Sequence, residues 1–170
     1  MQKILEKFKF QCVNCSAEYS EKEVQYLCPK CAEGNTALLP PKGVLKTVYD
    51  YELILDLWPD TNISLFDYLK SIQFIGLLPI NNIFSLPKLD IGNTPLYKQD
   101  RLFGKNLNLN LYFKDDSRNP TYSFKDRASA LVSAYAAENN IDTIITASTG
   151  NAGSSLAGIC AAQNQKAVIM

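Results

Sequence analysis

Three groups of residues in this 170-residue chain have types and spacings suited to chemistry. The first is Cys12-x2-Cys15-x12-Cys28-x2-Cys31. Two CxxC knuckles each turn the chain sharply enough to aim a pair of sulfurs at one point, and this spacing is that of a tetrahedral Zn²⁺ site. Pro29 favours the second turn. Four protein ligands leave no open position, so such a site is structural, not catalytic. The bland alternative is that the cysteines pack as small hydrophobes. The second group is Asn119-Pro120-Thr121-Tyr122-Ser123-Phe124-Lys125-Asp126-Arg127. Thr121 or Ser123 is placed to cap a helix, and Asp126 suits its first turn. Lys125 is then a cation beside a helix N-terminus, where the dipole opposes positive charge and favours the neutral amine needed for Schiff-base chemistry. An ordinary capped helix with a surface lysine has the same pattern. The third group is Thr146-Ala147-Ser148-Thr149-Gly150-Asn151-Ala152-Gly153-Ser154-Ser155. Gly150 permits a tight turn and Gly153 a close backbone approach to a ligand; the free N–H groups and helix dipole make an anion site. The loop matches neither a Walker A motif nor GxGxxG, and a plain strand-to-helix turn is its alternative.

Composition narrows the chemistry. The chain has no histidine, which removes Ser/His and Cys/His catalysis, His metal sites and imidazole acid–base work. The proton carrier of any enzyme here is Lys, Asp, Glu, Tyr or a cofactor. Lys and Arg total 17 against 17 Asp and Glu, so no net field draws nucleic acid or an acidic membrane. Residues 1–10 lack the apolar core of a secretory signal, and the run Phe74–Ile80 is too short to span a bilayer. The expected location is the cytoplasm, where thiols stay reduced and read as ligands or packing groups before disulfides.

The elements that must position these groups follow from pattern. Residues 1–35 read as a separate zinc-ribbon-like module of four cysteines, 36–106 as a linker and the N-terminal part of a larger fold, and 107–170 as the start of an α/β domain. Residues 34–43 carry two glycines and Pro40-Pro41 and read as loop, and 44–51 are β-prone. Asn62 or Ser64 is expected to cap a short helix through Lys70, with Leu65, Leu69, Ile72 and Phe66 on its buried side. Residues 107–114 alternate with period two, as in a strand near a sheet edge. Residues 123–139 predict a helix with the buried stripe Phe124, Ala128, Leu131, Val132 and Tyr135. Residues 142–147 predict a strand buried on both faces, 152–163 a helix of small residues, and 166–170 another buried strand. The order β-α-β-α-β implies right-handed crossovers and a parallel sheet covered by helices, which needs more strands than these.

Taken together, Gly92-Asn93-Thr94-Pro95-Leu96, then NPTxSFKDR, then STGNAGSS resemble, in order, the signature of pyridoxal-phosphate enzymes of the tryptophan-synthase-β fold type. Within that group the chain is most similar to the threonine synthase family. The four-cysteine segment followed by Val48-Tyr49-Asp50-Tyr51-Glu52 also resembles the N-terminal ribbon of some members. The resemblance covers nearly the whole chain, most loosely over 53–90. It implies that Lys125 carries the cofactor as a Schiff base and later moves substrate protons, in keeping with the absence of histidine. Asn151 would hydrogen-bond the pyridine 3′-oxygen, and Ser148, Thr149 and the backbone around Gly150 and Ala152 would hold the substrate carboxylate. Phe124 would pack near the cofactor, with Asp126 and Arg127 behind. The implied reaction converts O-phospho-L-homoserine and water to L-threonine and phosphate. The implied cofactors are pyridoxal 5′-phosphate and a structural Zn²⁺, and relatives of this kind are commonly homodimers.

The chain departs from the pattern at Tyr122, where the family often has glycine; a narrowed site or a subfamily specificity would follow. The glycine-rich phosphate loop and the Ser or Thr opposite the pyridine nitrogen lie, in the family, beyond the position of Met170. These 170 residues are therefore expected to be an incomplete N-terminal portion, inactive alone. A related lyase, such as a cysteate synthase or a threonine/serine dehydratase, is the alternative reaction. The alternative of another class is a zinc-ribbon binding or regulatory module on a degenerate domain.

Overall fold

The computed structural model describes residues 7–24, 26–58 and 62–170. They divide into two compact units, residues 1–79 and 80–170.

The first unit is built on a three-stranded antiparallel sheet in the order β2-β1-β3, with β1 Phe8–Cys12, β2 Glu18–Tyr19 and β3 Leu45–Tyr49. β1 runs straight into the first cysteine knuckle. There Ser16 N–H donates to the Cys12 carbonyl at 2.9 Å, and Ser16 takes a left-handed φ of 59°. The second knuckle opens a one-turn helix, α1 Pro29–Ala32, with Pro29 at its first position, where a missing N–H costs nothing. The loop at 34–43 is closed on itself, because Asn35 bonds both the N–H and the carbonyl of Lys42 at 2.8 and 3.0 Å. Gly43 ends that loop at φ +84°, and a Cβ there would sit 3.1 Å from the Cys28 carbonyl. The buried apolar side chains of this sheet and its loops are Phe8, Cys12, Val24 and Cys28.

Two short helices follow. In α2 Tyr51–Asp56, Asp50 caps the N-terminus by accepting from Leu53 N–H at 2.9 Å. In α3 Leu65–Ser71, Ser64 is the cap and accepts from Asp67 N–H at 3.1 Å. Ile54 and Leu69 are buried, whereas Phe66, expected inside, is 62% exposed. Ser64 fixes the helix start one position before Leu65, and that phase turns Leu69 inward and Phe66 outward.

The second unit starts with a hairpin, β4 Leu96–Leu102 and β5 Lys105–Lys114, paired antiparallel with an irregularity between Gln99 and Arg101. Its two-residue turn is Phe103-Gly104, at φ 48° and 76°, the left-handed pair that matches strand twist. Then come α4 Lys125–Glu138, β6 Thr143–Thr146, α5 Asn151–Ala162 and β7 Lys166–Ile169. β6 and β7 pair in parallel, so β6-α5-β7 is a βαβ unit.

Two expectations about this unit are corrected. The buried residues of α4 are Asp126, Ser129, Ala130, Ser133, Ala134 and Ala136. At 100° per residue that face lies nearly opposite the stripe Phe124, Ala128, Leu131, Val132, Tyr135. Small side chains let α4 approach α5 closely, and its Ser and Asp groups are hydrogen-bonded across the contact; Phe124 and Val132 are exposed instead. β6 is also not buried on both faces. Ile145 and Val168 are partners in the parallel register and both stand exposed, on the side of the strand pair away from Ile169, which touches α5 at Gly153.

Candidate functional site

Lys125 is the first residue of α4 and is half-buried, its Nζ 4.6 Å from the centre of the exposed Phe124 ring. Two contacts fix the turn leading to it. Ser123 Oγ accepts from Lys125 N–H at 3.2 Å, and Tyr122 N–H donates to the Asn119 carbonyl at 2.8 Å. Behind the lysine, Asp126 is fully buried. Its carboxylate accepts from Thr121 N–H at 2.7 Å, from Thr121 Oγ1, and from Ser155 Oγ at 2.6 Å, while Ser155 also meets Ser129 Oγ at 2.8 Å. Ser155 lies one turn beyond Asn151 on α5. The Asp126–Ser155 bond therefore ties the start of α4 to the start of α5, and brings Lys125 and the 148–152 loop to the same end of the helix pair. Gly158 deepens this contact: a Cβ there would lie 2.8 Å from Thr121 Cγ2.

The 148–152 loop presents its groups outward. Thr149, Gly150 and Asn151 are exposed; Ser148 and Ala152 are half-buried. Gly150 N–H donates to Ser148 Oγ at 3.3 Å, and the Gly150 carbonyl takes the N–H groups of Gly153 and Ser154 at 2.9 and 3.2 Å. The amides of Asn151 and Ala152 belong to the first turn of α5, where no intrahelical acceptor exists. A Cβ on Gly150 would meet nothing within 4 Å, so open space faces the helix start. Gly150 itself has φ −110°, which any residue adopts. Gly153 does not serve a ligand as expected. It is buried, and a Cβ there would come within 2.2 Å of the Ser148 carbonyl, so its lack of a side chain lets the loop close on its own helix.

A second network, centred on Asp116, was not found from sequence. Arg127 clamps Asp116 with two bonds of 2.8 Å, from Nε and Nη2, and Thr94 Oγ1 donates to Asp116 at 2.7 Å. Arg127 Nη2 also reaches the Gly92 carbonyl at 3.2 Å, and buried Asn119 accepts from Gly92 N–H at 2.9 Å. Gly92 has φ +82°, and a Cβ would lie 2.7 Å from Arg127 Nη1. Thus GNTPL and NPTxSFKDR are held together by charge-assisted bonds. The only sequence signal was the Asp115-x-Ser117 capping pattern just before Asn119, which points to a turn and not to a hub.

Arg127, then Thr94, hold the Asp116 carboxyl well below the usual carboxylate range. A depressed folded-state pKa adds stability above the unfolded value, near 4, and that stability is lost as pH falls towards the folded value. Asp116→Asn is therefore expected to lower the urea midpoint at pH 7 and to flatten its decline below about pH 4. Circular dichroism across a urea series at several pH values checks this. An unchanged acid dependence would remove Asp116 from that role.

In the first unit the four cysteine sulfurs lie within 4.8 Å of one another, and Cys15 and Cys28 Sγ are 3.7 Å apart. Tetrahedral coordination with sulfur at about 2.3 Å sets sulfur pairs about 3.8 Å apart, so the cluster is compatible with a metal ion. Around it, Asn14 N–H donates to Cys12 Sγ at 3.4 Å, and Asn14 Oδ1 accepts from Gly43 N–H at 2.7 Å. Tyr19 OH lies 3.1 Å from Cys28 Sγ. The Tyr19 hydroxyl pushes the Cys28 thiol down, while Cys15 pushes the Cys31 thiol up. Sulfurs this close resist carrying negative charge together without a cation among them.

Residues 87–170 match the family described as pyridoxal-phosphate dependent enzyme. They belong to that family. Over most of its length the chain is threonine synthase-like. It is 36% identical over 153 residues to the threonine synthase of Methanosarcina acetivorans, covering 88% of this chain and 33% of that protein. It is 30% identical over 161 residues to the threonine synthase of Methanocaldococcus jannaschii, covering 94% of this chain and 36% of that protein. The latter alignment leaves so little of the chain outside that it must include Cys12–Cys31. A cysteine synthase from Buchnera aphidicola is 35% identical over 91 residues, 51% of this chain and 28% of that protein. The chain thus spans about a third of the length of the threonine synthases it matches. Among the described residues, no helix is long and apolar enough to cross a membrane.

The residues at the start of α4 and α5 fit the family's cofactor. A half-buried primary amine, an aromatic ring beside it, an exposed carboxamide and two first-turn amides lie at the starts of two helices that the Asp126–Ser155 bond ties together.

Proposed function

We propose that these residues are the N-terminal portion of a threonine synthase, a pyridoxal-phosphate-dependent lyase that converts O-phospho-L-homoserine and water to L-threonine and phosphate. One observation carries the reading. Similarity to threonine synthases runs through both the four-cysteine segment and the Lys125 segment, whereas similarity to cysteine synthases covers about half the chain.

When bound, pyridoxal phosphate draws electrons from the substrate's α-carbon side, and the chain's own groups do the rest. Lys125 Nζ holds the cofactor and carries protons to and from the substrate. Asn151 donates from its carboxamide to the cofactor ring oxygen, and Phe124 packs beside the ring. Ser148 and Thr149 hydroxyls, with the N–H groups of Gly150 and Ala152, bind the substrate carboxylate as an anion at a helix N-terminus. Asp126 holds the two helix starts in register through Ser155. Cys12, Cys15, Cys28 and Cys31 hold a structural Zn²⁺ that orders the first unit. The reading places the enzyme in the cytoplasm.

The test is substrate choice by the full-length polypeptide that carries these residues. Phosphate release from O-phospho-L-homoserine with formation of threonine is expected. Release only from O-phosphoserine, or deamination of threonine or serine, would move the chain to a sister activity.

A further inference from the structure

The two cysteine knuckles are tied to each other by bonds that need no metal. Gly43 joins them: its N–H donates to Asn14 Oδ1 at 2.7 Å, and its carbonyl accepts from Cys28 N–H at 2.8 Å. Beside it, Val13 N–H donates to the Val44 carbonyl at 2.9 Å. A further tie is made by a side chain. Tyr19 stands on β2, paired with Phe10 of β1, on the hairpin whose turn holds Cys15 and begins at Cys12. Its hydroxyl crosses to the other knuckle and lies 3.1 Å from Cys28 Sγ. Both partners of this contact belong to the first unit, and Cys28 is fully buried. Backbone donors to sulfur come with the knuckle itself, as Asn14 N–H does for Cys12 Sγ at 3.4 Å. The Tyr19 hydroxyl is a different case, because a phenylalanine there would keep the ring and lack the donor.

We propose that Tyr19 is a positioning residue for the metal: its hydroxyl donates to Cys28 Sγ, holds that sulfur on the cluster and raises the affinity for zinc. The inference rests on the proposed structural Zn²⁺ site. A thiolate ligand carries no proton, and a phenol keeps its own near neutral pH, so the hydroxyl donates and the sulfur accepts. Four thiolates around one divalent cation leave the cluster net negative. A donor aimed at a buried sulfur offsets part of that charge and fixes the ligand's orientation. The contact spans the two knuckles, so it also brings the sulfurs together before the ion arrives.

The experiment uses the full-length polypeptide with Tyr19→Phe and Tyr19→Leu. Each is titrated with zinc against a chromophoric chelator, and with cobalt(II) as a spectroscopic substitute. Tyr19→Phe is expected to weaken zinc binding about tenfold or more, the usual cost of losing a hydrogen-bond partner of a metal ligand. Its sulfur-to-cobalt charge-transfer band is expected at longer wavelength, because a sulfur without its donor gives up electron density more readily. Tyr19→Leu should weaken zinc at least as much. Unchanged zinc affinity in Tyr19→Phe would overturn the proposal, whatever the band does, and a loss confined to Tyr19→Leu would assign the residue to packing. Weaker binding with the band unmoved would overturn it too, since the hydroxyl would then act without touching the sulfur. A wild-type polypeptide that takes up no zinc would instead remove the zinc reading, and this inference with it.

Discussion

Lys125→Ala in the full-length polypeptide is expected to lose the visible absorbance of bound pyridoxal phosphate and at least about a hundredfold to ten-thousandfold of activity, the range removed with a proton-transferring group. The fold should survive. Lys125 caps nothing with its side chain, which meets only the exposed Phe124 ring in the contacts described above. Alanine is the best helix former, and removing a cation from the first position of α4 relieves its opposition to the dipole. Stability should therefore change by no more than about 0.5 kcal/mol. This separation gives the test its force: an ordinary capped helix with a surface lysine predicts the same unchanged stability but also an unchanged spectrum. If absorbance persists in Lys125→Ala, the lysine does not hold the cofactor. Asp126→Ala tests the frame instead. It leaves the Thr121 and Ser155 donors of a buried site unmatched, and a fold loss of about 3 kcal/mol or more is expected.

The second large effect concerns the metal. The chain is expected to purify with one zinc ion, and strong chelation or Cys12→Ser should unfold the sheet β2-β1-β3. Structural zinc in small modules contributes apparent free energies of about 10–16 kcal/mol near neutral pH. The reason for such dependence is visible in the core. Among the described residues of that region the buried apolar side chains are Phe8, Cys12, Val24 and Cys28, and two of these four are cluster cysteines. Phe8 and Val24 alone bury too little apolar surface to order three strands of 5, 2 and 5 residues. Elemental analysis gives the stoichiometry, and hydrogen exchange at the amides of β1 and β3 follows the unfolding. A metal-free chain with those amides still protected would remove zinc from the structure's account.

The local structure of this chain is legible where it depends on residues close in sequence. Cysteine spacing, the capping pattern before α4 and the loop before α5 are each fixed within a short stretch of chain, and the corresponding groups lie together. What lay beyond reading depends on partners distant in sequence. Asp116 is a hub only because Thr94 and Arg127, on either side of it in the chain, return to it. The face of α4 runs against the expectation that large apolar residues point inward. Contact with α5 selects small residues instead, and satisfies Ser129 and Asp126 by hydrogen bonds. β4 was missed because Tyr97, Lys98, Gln99, Asp100 and Arg101 show no hydrophobic alternation, and Phe-Gly is not among the strong hairpin signals.

The clamp on Gly92 and Thr94 has a consequence for timing. Asn93 is exposed between two neighbours that are both pinned to the segment leading to Lys125. The entropy of ordering that loop is lost once, when the polypeptide folds, because a side chain more than thirty residues along the chain holds it. Loosening Arg127 would return that freedom to residues 92–94.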